Sequence, residues 1–227
     1  MAEKETKLDG LTIKWIGHST VQIKDTKGRV IYIDPFSKVL KGDEEKADLI
    51  VSTHPHFDHF DPGAIERLCK PGTETEVVAK KGCELGRVKA AKGRELDVGQ
   101  AVEVRGVKIK AVQAYNLRRF RSPGQPFHPK GLGMGVLLEL EGKRLYYAGD
   151  TDFIPEMEGL KAEGLDLAFL PIGGTYTMDG PEAAEAARAI SPKIVVPTHY
   201  NLLPETRADP EEFKEKLAGT GIEVRIL

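Results

Sequence analysis

The apolar residues of this chain fall into short runs, several of them alternating with polar positions. Runs at 11–16, 20–24, 29–33, 48–53, 76–79, 101–105, 107–114, 134–139, 144–148, 165–170, 193–197 and 222–226 have the length of ordinary strands. The first half of the chain reads as a β-meander, with hairpin turns at Asp25-Thr26-Lys27-Gly28 and, further on, at Glu141-Gly142-Lys143. Helices are predicted over 62–69, 82–91, 155–163, 181–190 and 210–218. Three of them have an aspartate to cap free backbone N–H groups and a proline in the first turn: Asp61-Pro62, Asp179-Gly180-Pro181 and Asp209-Pro210. The acidic residues after the last two prolines complement the helix dipole. Short strands interleaved with helices predict an α/β fold in which two sheets face each other and helices cover their outer sides. With no repeat, linker or low-complexity tail, residues 1–227 read as a single domain.

Composition narrows the partners. Lys and Arg total 33 against 35 Asp and Glu, a formal net charge of -2, so no global field draws in nucleic acid or an anionic membrane. No run approaches the ~18 apolar residues of a membrane span, and the segment 1–10 is polar, so a cytoplasmic protein is expected. Cys69 and Cys83 lack the spacing of a metal site and are expected to be reduced and structural.

The densest chemistry is His54-Pro55-His56-Phe57-Asp58-His59, which holds half of the chain's six histidines. A low-complexity histidine tract would have neither the apolar strand that precedes this cluster nor the capped helix that follows it. Imidazole and carboxylate are the donors that first-row divalent ions take when no thiolate is offered. His54 and His56, two apart on extended backbone, project to one side. The turn after them lets Asp58 and His59 face a second position, and four donors that cannot converge on one centre suggest two ions. Two other apolar runs also end in ligand types. Residues 144–148 lead into Gly149-Asp150-Thr151-Asp152, where glycine permits close backbone approach, and 193–197 lead into Thr198-His199-Tyr200.

Together with Trp15-Ile16-Gly17-His18-Ser19-Thr20, Ile33-Asp34-Pro35 and Leu170-Pro171-Ile172-Gly173-Gly174, these motifs resemble the metallo-β-lactamase fold superfamily. They are similar to its metal-dependent hydrolase branch, which itself resembles sugar-phosphate lactonases and N-acyl-phosphatidylethanolamine phospholipases. The resemblance implies a four-layer αβ/βα sandwich of two mixed sheets flanked by helices, with two divalent ions at the sheet edges. Zinc is the first choice for such a donor set, with manganese or iron as alternatives. It further implies that His54 and His56 bind one ion, that Asp58, His59 and His199 bind the other, and that Asp150 bridges them. The family's third histidine for the first ion is missing after the strand 107–114, where this chain reads Gln113-Ala114-Tyr115-Asn116. His128 is favoured as its replacement on donor chemistry, with Asn116 as the alternative. His18, Asp34 and Asn116 are expected to support ligands from behind.

The expected reaction is hydrolysis of a small anionic ester, a phosphodiester or a sugar-phosphate lactone. Two ions sharing a water lower its pKa and furnish a hydroxide, with Asp58 and Asp150 as the catalytic carboxylates. Arg118, Arg119, Arg121 and Lys130 are candidates to bind the substrate's charge, and Tyr176 to cap the pocket. An RNA-processing nuclease of the same superfamily and a non-catalytic metal-stabilised module are the competing readings. The first lacks a basic excess to support it.

Overall fold

A computed structural model describes residues 5–227, with every side chain among them except that of Thr73; the first four residues of the polar amino-terminal segment lie outside it. Seven strands form one sheet in chain order: β1 (Glu5–Leu8), β2 (Leu11–Gly17), β3 (Thr20–Lys24), β4 (Val30–Ile33), β5 (Leu49–Ser52), β6 (Thr75–Lys80) and β7 (Ala91–Leu96). The meander expected for this half holds only through β4, since β4 to β7 are parallel to one another. The connection from β5 to β6 carries helix α1 (Pro62–Leu68), which a parallel crossover needs and a hairpin does not.

The second sheet is built from β8 (Ala101–Val104) and β9 (Val107–Ala114), then, beyond a small exposed hairpin of β10 (Phe120–Ser122) and β11 (Gln125–Pro126), from β12 (Gly133–Leu140), β13 (Lys143–Tyr147), β14 (Leu167–Pro171), β15 (Ile194–Thr198) and β16 (Glu223–Val224). Its order is β16-β15-β14-β13-β12-β9-β8, parallel from β13 to β16. The turn between β12 and β13 falls at Glu141 and Gly142, both at positive φ as a tight hairpin requires.

Alternation places Leu11, Ile13 and Trp15 of β2 inward, where they join Ile31, Val51, Ile109, Val136, Leu138 and Tyr147 in the core between the sheets. α1 buries Ala64, Ile65 and Leu68 against Tyr32, Ile50 and Val77 on the outer side of the first sheet. Helix α2 (Gly180–Ile190) buries Ala183, Ala184, Ala186 and Ala187 in the main core, and helix α3 (Pro210–Lys216) contributes Phe213. Asp61, Asp179 and Asp209 each cap their helix as expected, accepting from Ala64, Glu182 and Glu211 N–H. No helix among the described residues is long and apolar enough to cross a membrane.

Two elements depart from the expected pattern. The helix expected over 82–91 is a single 3-10 turn, Leu85–Arg87, followed by strand β7. Gly82 sits at φ +102°, no side chain caps the turn, and Ala91 already pairs with Thr75 as the first residue of β7. The helix over 155–163 is wound as a 3-10 helix, Pro155–Glu163, ending at Gly164 in the left-handed region.

Candidate metal centre

Parallel strands deliver their carboxyl ends to one edge of each sheet, where ligands gather in open α/β sheets. Asp34 follows β4 and Thr53-His54 follow β5; Gly149-Asp150 follow β13 and His199 follows β15. Backbone hydrogen bonds join the two edges: Met134 N–H donates to Thr53 O at 3.1 Å, and His199 N–H to His18 O at 2.8 Å. Tyr147 Oη donates to Ser19 O at 2.7 Å. Gly149, at φ +68°, runs so close to the next strand that an added Cβ would lie 2.9 Å from Met134 O.

All six histidines of the chain converge here, in three overlapping groups of donors that lie within 4.8 Å of one another: His54, His56 and His128; His54, His59 and Asp150; and His18, Asp58, His59 and His199. His54 Nε2 and His56 Nδ1 face each other at 3.0 Å, and the His128 ring is 4.9 Å from that of His56. Asp150 stands between the groups. Its Oδ2 is 3.2 Å from His128 Nε2 and 3.3 Å from His199 Nε2, and its Oδ1 is 3.3 Å from His59 Nε2.

Neighbouring groups fix which nitrogen each ring turns inward. Asp34, fully buried, accepts from Thr53 N–H at 2.7 Å and Thr53 Oγ1 at 2.6 Å, and it sits 2.7 Å from His59 Nδ1. That leaves His59 Nε2 facing the carboxylates. Thr53 Oγ1 lies 3.1 Å from His54 Nδ1 and so leaves His54 Nε2 inward as well. His18 Nε2 is 2.9 Å from Asp58 Oδ2, and the His18 ring lies 3.9 Å from that of His199.

The electrostatics call for a cation. His59 Nε2 and both nitrogens of His199 are buried without a hydrogen-bond partner. Burial opposes charge on His59, but Asp150, Asp58 and Asp34 outweigh it and push its pKa well above the ordinary imidazole value. Burial would raise the Asp58 and Asp150 carboxyls, yet the imidazoles around them hold both well below the usual carboxylate range. His54 and His56 are pushed down, first by burial, and His199 falls to about 3 for the same reason, so these rings stay neutral and able to donate a lone pair. Neutral imidazoles and carboxylates arranged so closely, with buried nitrogens left unpaired, fit first-row divalent ions.

The expected substrate residues separate. Arg119 is engaged from within: it binds Asp152 Oδ1 and Gly174 O at 3.0 Å, contacts Glu182, and lies 3.4 Å from Asp179. Lys130 pairs with Glu156 at 2.8 Å and sits over the Tyr115 ring. Neither is a free anion reader, because each already has a carboxylate that the linear sequence did not place beside it. Arg118 and Arg121 are exposed, the latter with its guanidinium 5.7 Å from the centroid of the Phe127 ring. Tyr176 donates to Glu205 at 2.9 Å and packs edge-on to Phe127. The Asn116 amide is taken up by hydrogen bonds to His128, Asp152 and the Tyr176 carbonyl. Sequence reasoning missed the roles of Thr53 and Asp152. Their positions, beside His54 and two residues after Asp150, were the available signal.

A family profile described as Beta-lactamase superfamily domain matches residues 12–199. That match, two facing mixed sheets and a donor cluster at their carboxyl edges define the metallo-β-lactamase fold. A UPF0173 metal-dependent hydrolase of Thermus thermophilus is 37% identical over 219 residues, 93% of either chain. Another from Thermococcus onnurineus is 38% identical over 225 residues, 95% of either chain. Among solved structures, Igni18, a novel metallo hydrolase from Ignicoccus hospitalis, is 30% identical with a TM-score of 0.77, covering 96% of this chain and 94% of that one. The chain belongs to this superfamily and, within it, to the UPF0173 metal-dependent hydrolases.

Proposed function

We propose that the chain hydrolyses a small anionic ester, a phosphodiester or a sugar-phosphate lactone, with two divalent ions held at the centre. The observation that carries this reading is the set of buried imidazole nitrogens without partners, His59 Nε2 and the two of His199, set among Asp58 and Asp150. In this reading His54, His56 and His128 hold one ion, Asp58, His59 and His199 hold the other, and Asp150 reaches both. Zinc suits this donor set, and manganese or iron would bind the same atoms. Ions bound there supply a hydroxide nucleophile near neutral pH and polarise the scissile carbonyl or phosphoryl oxygen.

The protein's own residues do the positioning. Asp34 and Thr53 occupy the outer nitrogens of His59 and His54, and His18 holds Asp58. Asp58 orients the attacking water by accepting a hydrogen bond from it. Arg118 and Arg121 are the exposed cations for the substrate's charge. Phe57, Leu117 and Phe120, the exposed large hydrophobics of the described residues, are on the same two loops as His56 and His128, which favours an ester carrying an apolar group beside its charge.

The test is turnover of a panel of aryl esters, phosphodiesters and sugar-phosphate lactones by metal-loaded protein. Hydrolysis of at least one class is expected, falling to background on chelation and in His59→Ala. Metal-replete protein that turns over none of the three classes contradicts the reading.

A further inference from the structure

The histidine expected from the end of β9 is absent, and the residue in its place, Asn116, forms three hydrogen bonds with His128. Asn116 N–H donates to His128 O at 2.8 Å, and Asn116 Oδ1 accepts from His128 N–H at 2.8 Å and lies 2.9 Å from His128 Nδ1. The chemistry assigns the atoms. A backbone N–H only donates, so the amide atom facing it is the oxygen, and Nδ1 beside that oxygen carries the proton. His128 Nε2 is then left with its lone pair toward Asp150 Oδ2, 3.2 Å away. Two acceptors would face each other there, a contact that a proton or a metal cation between them relieves.

The amide is held in that orientation from its other end. Asn116 Nδ2 donates to Asp152 Oδ1 and to Tyr176 O, each at 3.0 Å, so the NH2 group cannot swing toward His128 without losing both. Asp152 is fully buried and also accepts from Leu117 N–H at 2.7 Å, Arg118 N–H at 2.6 Å and Arg119 at 3.0 Å. Arg119 ties the assembly to Glu182 and Asp179 at the start of α2. The strand end after β13 thus presents Asp150 to the centre and, two residues on, Asp152 to the back of the loop that carries His128.

Resting on the two-ion reading above, we propose that Asp152 and Asn116 form a positioning relay that sets the tautomer and place of His128, so that its Nε2 completes the site shared with His54 and His56. Neither residue touches an ion or the substrate. Asp152 orients the Asn116 amide, and Asn116 orients the ring.

The test is competition of the full chain with a chromophoric chelator for zinc, comparing the unsubstituted protein with His128→Ala, Asn116→Ala and Asp152→Asn. The unsubstituted protein is expected to hold two ions. His128→Ala and Asn116→Ala are each expected to weaken one of them about 10- to 100-fold while the other keeps its affinity, which general loss of fold would not do. Asp152→Asn, which places an NH2 either against the Asn116 NH2 and Arg119 or against the Leu117 and Arg118 N–H groups, is expected to weaken the same ion. Unchanged affinities in Asn116→Ala, beside a lost ion in His128→Ala, overturn the relay and leave the two-ion reading standing. Unchanged affinities in His128→Ala overturn both. Should Asn116→Ala fail to fold, Asp152→Asn carries the test with the same two outcomes.

Discussion

Asp150 is the residue on which the two donor sets turn, because its two oxygens lie 3.2 to 3.3 Å from imidazole nitrogens of His128, His199 and His59. The rings around it make the metal-free protein sensitive to acid. His199, with an ordinary value of 6.5, is pushed to about 3 by burial against the pull of Asp150. Above 6.5 neither the folded nor the unfolded chain protonates it. Between 6.5 and 3 the unfolded chain takes the proton and the folded chain does not, so stability falls with pH through that window. His54 and His56, lowered first by burial, act in the same sense. His59, raised, is protonated in both states below 6.5 and adds no slope there. Asp34, raised by burial, opposes the trend alone. Chelator-treated protein is therefore expected to melt at a lower temperature at about pH 4.5 than at about pH 6.5 in calorimetry. An equal or higher melting temperature in acid would show that the rings are not held neutral. The donors themselves were legible in the sequence, since His54 to His59 are consecutive and Asp150 and His199 each end an apolar run. Their supports were not: Arg119 meets Asp152 and Glu182 from 33 and 63 positions away, a pairing that only tertiary structure defines.

Among the elements, those with local signals were readable and those defined by their neighbours were not. The three aspartate-capped helices and the central strands have capping residues and apolar runs of their own. β7, largely exposed at the edge of the first sheet, is a strand because it pairs with β6, and its Ala-Lys-Gly-Arg-Glu-Leu sequence has no alternation to announce it. The loop joining β9 to β12 is the element where expectation and structure differ most. Its cluster of basic residues suggested anion binding throughout, whereas Arg119 anchors the loop and Arg118 stands in solvent. Arg119→Ala leaves the buried Asp152 and Glu182 carboxylates without their cation and is expected to cost about 3 kcal/mol in denaturant unfolding. Arg118→Ala is expected to stay within about 0.5 kcal/mol of the parent and to raise KM for an anionic substrate. Equal stability of the two variants would contradict this division of roles.

For the molecule as a whole, the two-sheet architecture was legible from the count and spacing of strands, while the switch from antiparallel to parallel order at β4 was not, since apolar runs carry no direction. That switch matters for function. Parallel strands put Asp34, His54, Asp150 and His199 at carboxyl ends, and the facing of the two sheets brings those ends together. The site is thus a property of the whole fold, with six histidines from four separate stretches of chain converging at one edge. The most direct measurement of the central claim is anomalous diffraction from crystals of the protein loaded with zinc, collected on both sides of the zinc absorption edge. Two peaks are expected, one among His54, His56 and His128 and one among Asp58, His59 and His199, with Asp150 between them. A single peak, or none in contact with these residues, would contradict the account.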